Sequence, residues 1–374
     1  MNALRVQWLP DSASLHEHAP ALARLAQDAV EPNVFHEPWL LLPALHAFAP
    51  PALSVALVWR DDGRLAALFP FRRYPRSGWT PARLGLWHHL YSFLGTPLVN
   101  RDRPEEAVAA LLASVERGDA PARCLELGTI TADGPFSRAL ARALDGRSGW
   151  TQHRDLQRRA CLDLASTRPP EPGISTRHRK ELRRQWKRLS EQGRPAFLEL
   201  GAHEDPAPWL DAFLQLEASG WKGRAGTALR AAGGDAGFFR QVAALAHQQG
   251  RLHMLSLALD GRPIAMQCNF LAGEGAFAFK VAFDETYASA SPGLQLELHA
   301  LERLAAVPGL QWVDSCASPD HPLMNRLWTG RRIVADHWLA HGNGHARAWL
   351  ALLRMRRRLG ARVRALRARH RPAN

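Results

Sequence analysis

Apolar and polar positions fall into the same hairpin pattern twice along this chain, as LSVALVWRDDGRLAALFPF at 53–71 and LHMLSLALDGRPIAMQCNF at 252–270. Each stretch is an apolar run, an Asp-Gly-Arg turn and a second apolar run with Ala just past the turn. Asp-Gly between apolar runs predicts a hairpin, because a tight turn needs positive φ at its centre. Both hairpins are followed by a helical stretch and a short strand (Arg123 to Leu127, and Leu310 to Asp314), then a polar loop. The repetition predicts tandem domains of one fold. In the first copy the pattern adds helices over 37–48 and 104–117, with strands and loops over 78–100. Pro38 suits the first turn of its helix.

The second copy is richer in signals. QRRACLDL at 157–164 reads as a strand, ended by the Pro-rich 169–172. ISTRHRKELRRQWKRLSEQ at 174–192 reads as a basic helix with Leu182, Trp186 and Leu189 as its apolar stripe and Gly193 as its stop. A strand at 196–200 and helices at 206–218 and 236–249 precede the hairpin, and the Gly-rich 219–237 reads as a loop able to move over a site. AFAFKVAF at 276–283 is the next strand. A turn at Gly273-Glu274 sets Phe270 opposite Phe277 and Gln267 opposite Lys280. In that register one face carries Met266, Cys268, Phe270, Phe277, Phe279, Val281 and Phe283. The other carries Gln267, Asn269 and Lys280 among alanines, which is either the floor of a ligand groove or a solvated face. Ser291, Pro292 and Gly293 then open a helix over 292–306, as cap, first residue and open backbone. Such a start suits phosphate; it is also what an ordinary helix start looks like.

Charge changes the picture less than its total suggests. The net charge is +13, yet residues 354–371 hold nine arginines and no acid, and 177–188 hold seven cations against one Glu. Those two segments exceed the whole excess, so the rest is near neutral. Length and composition suit two globular domains. No signal peptide and no spanning run is read, which leads to the expectation of a cytoplasmic protein. The four cysteines, Cys124, Cys161, Cys268 and Cys316, form no ligand pattern, so no metal is expected. His88 and His89 are adjacent, so at most one enters a site, and packing is the expected role.

Several of these segments together resemble the tandem branch of the GNAT acyltransferase superfamily, which includes CelD-like acyltransferases and Fem-type aminoacyl transferases. The resemblance rests on STRHRKELRRQWKRLSEQG, GWKGRAGTAL at 220–229, LALDGRPIAMQCNF, AFAFKVAF, YASASPGLQL and QWVDSCASPDHP. In the first half it is thinner, resting on FHEPWLLLPAL at 35–45 and the hairpin. It implies an α/β (α+β) fold of two GNAT-like domains, each a mixed sheet flanked by helices: 1–165, degenerate, and 166–345, the acyltransferase. A basic amphipathic helix or tail over 346–374 follows. It implies acyl-CoA, most simply acetyl-CoA, as co-substrate, held at Ser291, Pro292, Gly293 and Leu294. The family's usual Arg- or Gln-headed loop is replaced here by Ala288-Ser289-Ala290-Ser291-Pro292, so aminoacyl-tRNA is the alternative donor. A third reading is a non-catalytic protein of envelope or polysaccharide assembly.

Direct attack of an amine or hydroxyl on a thioester needs a base, since deprotonating an alkylamine at pH 7 costs about 4–5 kcal/mol. Asp314, at the end of a strand, is the leading candidate, with Asp320 and His321 in the following loop next. Tyr287 is the expected proton source for the leaving thiolate, and Cys316 is expected to pack rather than attack. Lys280, Gln267, Asn269, Trp221 and Lys222 are expected to bind the acceptor, a small molecule, sugar or envelope precursor. The helix at 346–371 is expected to dock on its domain, with peripheral contact to the inner membrane face or RNA as alternatives.

Overall fold

The computed structural model describes residues 4–165, 173–226, 228–229, 235–342 and 344–369, and the side chains of 221–222 and 358–369 lie outside that description. The chain divides into two compact units interleaved in sequence, where the sequence suggests consecutive domains. Met1–Glu31, Pro50–Leu156 and Val334–Asn374 form the first unit, and Pro32–Ala49 with Gln157–Ile333 form the second. The helix Pro38–Phe48 belongs to the second unit because its aromatic side packs there. Trp39 meets Phe270 edge-on at 5.5 Å and Phe48 meets Phe238 at 4.9 Å.

In the first unit the strands run in the order Arg5–Leu9, Leu53–Trp59, Leu65–Tyr74, Arg83–Leu86 and Cys124–Thr131. The first three junctions are antiparallel and the last is parallel, with Leu84 opposite Leu125. Residues 334–340 pair antiparallel with the far side of Cys124–Thr131. The parallel step needs a crossover, which the amphipathic helix Pro104–Arg117 supplies. The C-terminal helix Gly344–Arg369 docks on this unit. Trp349 lies edge-on to Trp338 at 5.7 Å, Leu350 is buried, Arg354 donates to the Gln152 carbonyl at 3.0 Å, and Arg357 pairs with Asp155.

The second unit repeats the plan. Its strands run Pro195–Glu199, Leu252–Leu259, Arg262–Ala272, Gly275–Phe283 and Trp312–Asp314, three antiparallel junctions followed by a parallel one. Residues 161–163 pair antiparallel beyond Trp312–Asp314, and the helix Pro292–Ala305 is the crossover. The hairpin turn has both central residues at positive φ, Asp260 at 49° and Gly261 at 79°, as a two-residue turn requires. The segments that the sequence aligns share a backbone feature, within the strand Cys124–Thr131 in one unit and just past Trp312–Asp314 in the other. Two residues past Leu127, Thr129 has φ 52°, and two residues past Asp314, Cys316 has φ 53°. A left-handed non-glycine residue is uncommon, so its recurrence at the matching position is independent evidence that the halves are copies.

Among the described residues no helix is long and apolar enough to cross a membrane. The start of the parallel pairing is packed without slack. A Cβ on Gly275 would lie 2.1 Å from the ring of Trp312, which is itself fixed between Phe277 (5.3 Å) and the Arg332 guanidinium (3.8 Å). Gly275→Ala is therefore expected to lower stability by about 1–3 kcal/mol, read as a shift of the urea midpoint at unchanged slope.

Candidate active site

A bulge decides which side chains share the central face of the second unit. Phe270 does stand opposite Phe277, but the register then shifts: Asn269 opposes Ala278, Cys268 opposes Lys280 and Gln267 opposes Val281. Phe279 is the extra residue, and beyond it the alternation reverses. Lys280 therefore joins the face of Cys268, Phe270 and Phe277, whereas simple alternation places it beside Gln267 and Asn269. On its face the Lys280 ammonium donates to Glu217 Oε1 at 3.1 Å, and Glu217 Oε2 accepts the Leu229 amide at 2.9 Å. Phe283 passes to the other face and packs with Leu189, Ala290 and Leu296.

The strand Gly275–Phe283 is bonded to Trp312–Asp314 only at Gly275, Ala276 and Phe277. Trp312–Asp314 ends opposite Phe277, so from Ala278 onward Gly275–Phe283 has no strand neighbour on that side among the described residues, and Val281 is 39% exposed there. The chain leaves this strand through Glu285–Ala290 and turns into the helix Pro292–Ala305 at Ser291, whose φ and ψ are both 49°. Ser291 thus occupies the cap position in a left-handed conformation and makes no side-chain cap bond, unlike the ordinary serine cap that its sequence suggests. Pro292 has no N–H, and no acid stands in the helix's first turn. The matching helix of the first unit carries Glu105 and Glu106 in its first turn. The positive end of a helix is open to an anion in one copy and already answered in the other.

Beside this open start lies the basic helix Thr176–Gln192, capped by Ser175. Its stripe of Trp186 and Leu189 packs with Tyr287, Ala290 and Phe283, just ahead of Ser291. Its cations Arg177, Arg179, Lys180, Arg183, Arg184, Lys187 and Arg188 are exposed. A cavity of about 720 Å³ opens at its first turns, lined by Ser175, Arg177, Lys180 and Arg184 among others.

Asp314 is placed differently from a general base. Its side chain is fully buried, and Oδ2 accepts from Arg159 at 2.6 Å and Arg332 at 2.7 Å while Oδ1 accepts the Cys316 amide at 2.9 Å. Burial alone would raise its pKa. The two guanidiniums and the amide outweigh that and hold the carboxyl below its ordinary value. A carboxylate so stabilised is a weak base, and this geometry makes it an anchor of the strand end. His321 spends Nδ1 as acceptor for the Met324 amide at 3.2 Å, capping Pro322–Leu327, which leaves the proton on Nε2 in the neutral ring. Asp320 is exposed on the same loop, and Tyr287 is half-buried against the basic helix. Burial and the neighbouring Asp314 push the Cys316 thiol well above its ordinary value, so it packs. All four cysteines are free thiols. Trp221 begins the short helix Trp221–Arg224, and its side chain and that of Lys222 fall outside the described residues. No metal-binding group of three or more His, Cys, Asp or Glu occurs among the described residues.

In the first unit His88 bonds the Gly128 carbonyl at 3.1 Å and His89 stacks on Trp87 at 5.2 Å. Burial lowers both pKa values, that of His89 to about 3, so both histidines pack as neutral rings.

Beneath the helix Pro292–Ala305 runs a polar track that the sequence does not announce. Glu297, fully buried, accepts from Trp328 Nε1 at 2.9 Å and is bonded by Gln267. Gln267 donates to Asn269 Oδ1 at 3.2 Å, and Asn269 donates to His253 Nδ1 at 3.1 Å. His253 faces Glu199 at 3.5 Å, and Glu199 pairs with Arg303 at the surface. Gln267 and Asn269, expected to bind acceptor, are instead rungs of this track. Burial pushes the Glu297 carboxyl up to about 7 against the bonds from Trp328 and Gln267.

The family model described as "Acetyltransferase (GNAT) domain" matches residues 176–322, which span the basic helix, the hairpin, the parted strands and the open helix start. Among solved structures, the chain is similar to the C-terminal domain of a protein assigned as a lysylphosphatidylglycerol synthetase from Agrobacterium fabrum. That likeness has 15% identity and a TM-score of 0.53, over 92% of this chain and 95% of that one. It is similar to FemX at 11% identity and TM-score 0.51, over 86% and 95%. L-PGS from Bacillus licheniformis matches at 14% identity and TM-score 0.50, over 90% and 95%. At these identities the likeness is one of fold. Among curated proteins none matches this chain.

Two expectations follow. Asp314→Ala strands two buried guanidiniums and should cost about 3–5 kcal/mol of stability, visible in denaturant unfolding; an unchanged midpoint would return Asp314 to the list of candidate bases. For Glu297 the folded pKa lies above the unfolded one. The folded state therefore holds the extra proton between about pH 4.5 and 7, and stability falls as pH rises through that window. Glu297→Gln should be less sensitive than the wild type when unfolding midpoints are compared at the two ends of the window.

Proposed function

We propose that this protein moves an acyl group from acyl-CoA to an amine or hydroxyl by direct attack, a reading supported by the match of residues 176–322 to the acetyltransferase (GNAT) domain model. The observation that carries the proposal is the strand Gly275–Phe283, which outruns its three-residue parallel neighbour and so has a free edge from Ala278, with an uncapped helix start beyond its far end. Parted strands leave backbone N–H and C=O groups open to a ligand's amides, which would otherwise go unsatisfied. The donor's pantetheine arm lies along Ala278–Phe283. Its phosphates meet the amides at Gly293 and Leu294, with the cations of Thr176–Gln192 beside them. The acetyl donor is the simplest case.

Water leaves such a cleft as the arm fills it, and the thioester is held against the bulged strand. Proton removal from an amine falls to a group other than the ion-paired Asp314. Tyr287, four residues before Ser291, is the proposed source of a proton for the leaving thiolate. The acceptor is a small molecule, sugar or envelope precursor, in keeping with the company of the fold relatives. The apolar side of the C-terminal helix, as far as it is described, is spent on its own unit, so lipid contact through that side is no part of the proposal.

The seven exposed cations of Thr176–Gln192 favour one second reading, an aminoacyl-tRNA donor, in line with the fold likeness to FemX. One calorimetric series separates the two. Coenzyme A and acetyl-CoA should bind saturably, and Gly293→Leu should weaken binding at least about tenfold, or 1.4 kcal/mol. Absence of binding by either compound, with tRNA binding that weakens steeply with salt, would overturn the acyl-CoA reading in favour of the second.

A further inference from the structure

The C-terminal helix Gly344–Arg369 carries two apolar stripes, and its own unit covers one of them. Ala346, Trp349, Leu350 and Leu353 pack with Trp338 and Cys124. His345, Ala348, Leu352 and Met355 follow one another at steps of three, four and three, so they line a second side of the helix. Ala348 is exposed, Leu352 is half-buried and Met355 is 54% exposed. This outer stripe rises about 15 Å along the helix. At its start the ring of Trp79 lies 5.6 Å from that of His345, and Trp79 is itself 72% exposed. Single apolar side chains on a surface need no explanation, but an indole continued by an aligned stripe does.

The charge beside the stripe has one sign. Residues 344–374 hold ten arginines and neither Asp nor Glu, and residues 63–101, which include Trp79, hold six arginines and again no acid. Arg347 and Arg356 are exposed and flank the stripe on its two sides. Arg76 is exposed beside Trp79 and donates to the Gly78 carbonyl at 3.5 Å. Arg354 and Arg357 are tied inward, to the Gln152 carbonyl and to Asp155. All of these residues belong to the first unit. Apolar groups flanked by cations fit a partner that is anionic at its surface and apolar just beneath. A bilayer with acidic headgroups is such a partner, since arginines meet its phosphates while indole and aliphatic groups enter the headgroup boundary. A nucleic acid is equally anionic but offers Leu352 and Met355 no apolar layer.

We propose that the outer stripe of the C-terminal helix, with Trp79 at its start, docks the first unit peripherally on an anionic lipid bilayer. The helix lies along the membrane surface. Arg347, Arg356 and Arg76 supply an attraction that salt screens, and Trp79, Leu352 and Met355 supply a shallow apolar anchor.

Flotation of the full chain with vesicles tests it. Vesicles of phosphatidylglycerol and phosphatidylcholine in equal parts should carry the protein at low salt and release it at high salt. Vesicles of phosphatidylcholine alone should leave it in solution. Met355→Asp puts an anion on the stripe and should weaken binding at least about fivefold, and Trp79→Ala should weaken it in the same direction. Arg183→Gln, on the basic helix of the second unit, makes the same change in net charge and should weaken binding less than either. Binding to neither kind of vesicle, equal binding to both, or an equal loss through Arg183→Gln overturns the proposal. It is overturned in favour of a nucleic-acid surface if a single-stranded RNA oligonucleotide binds, Met355→Asp and Trp79→Ala weaken that binding, and the vesicles are ignored.

Discussion

The proposed cleft depends on one parallel strand pairing that lasts for only three residues. Gly275–Phe283 and Trp312–Asp314 begin together at a contact too tight for a Cβ, and the shorter strand ends opposite Phe277. A sheet that closed there would have no room for a ligand. Separation leaves polar backbone exposed inside a sheet, which is costly unless water or a ligand meets it. The bulge at Phe279 sits in the parted stretch and turns Lys280 away from the polar track under the helix. That one local irregularity sorts the charges between the two faces of the strand.

The two faces of that opening have different electrostatics. On one, an uncapped helix start and a basic helix offer positive potential at the surface, where an anion can arrive and leave. On the other, a buried pair of arginines shares one carboxylate, and their field is little screened. The first copy of the fold keeps the same strand order and a left-handed residue, Thr129, at the matching position. Glu105 and Glu106 stand in the first turn of its corresponding helix, where the second unit's helix has no acid.

Much of this was legible in the residues, and the failures have specific causes. The hairpins, the basic helix, the Pro292 start and the repeat follow from alternation, Asp-Gly and Ser-Pro-Gly, all local signals. A bulge is not local: it depends on the register between two strands, so AFAFKVAF read alone puts Lys280 on the wrong face. Asp314 at a strand end looks like a base until Arg159 and Arg332, distant in sequence, are folded onto it. The one hint was the arginine pair in the strand segment QRRACLDL. Glu297 carried none, because one acid in an amphipathic helix reads as surface until Trp328 is known to cover it. The interleaving of the units was equally out of reach, since FHEPWLLLPAL says that a helix forms and not what its tryptophan packs against.

The central claim is that the parted strand and the open helix start of the second unit together receive the donor. Hydrogen–deuterium exchange with and without coenzyme A measures this at the backbone itself. The account predicts slowed exchange at the amides of residues 278–283 and 293–296, with residues 84–86 and 105–108 of the first unit unchanged. Protection confined to the first unit, or none in the parted strand at saturating coenzyme A, would contradict it.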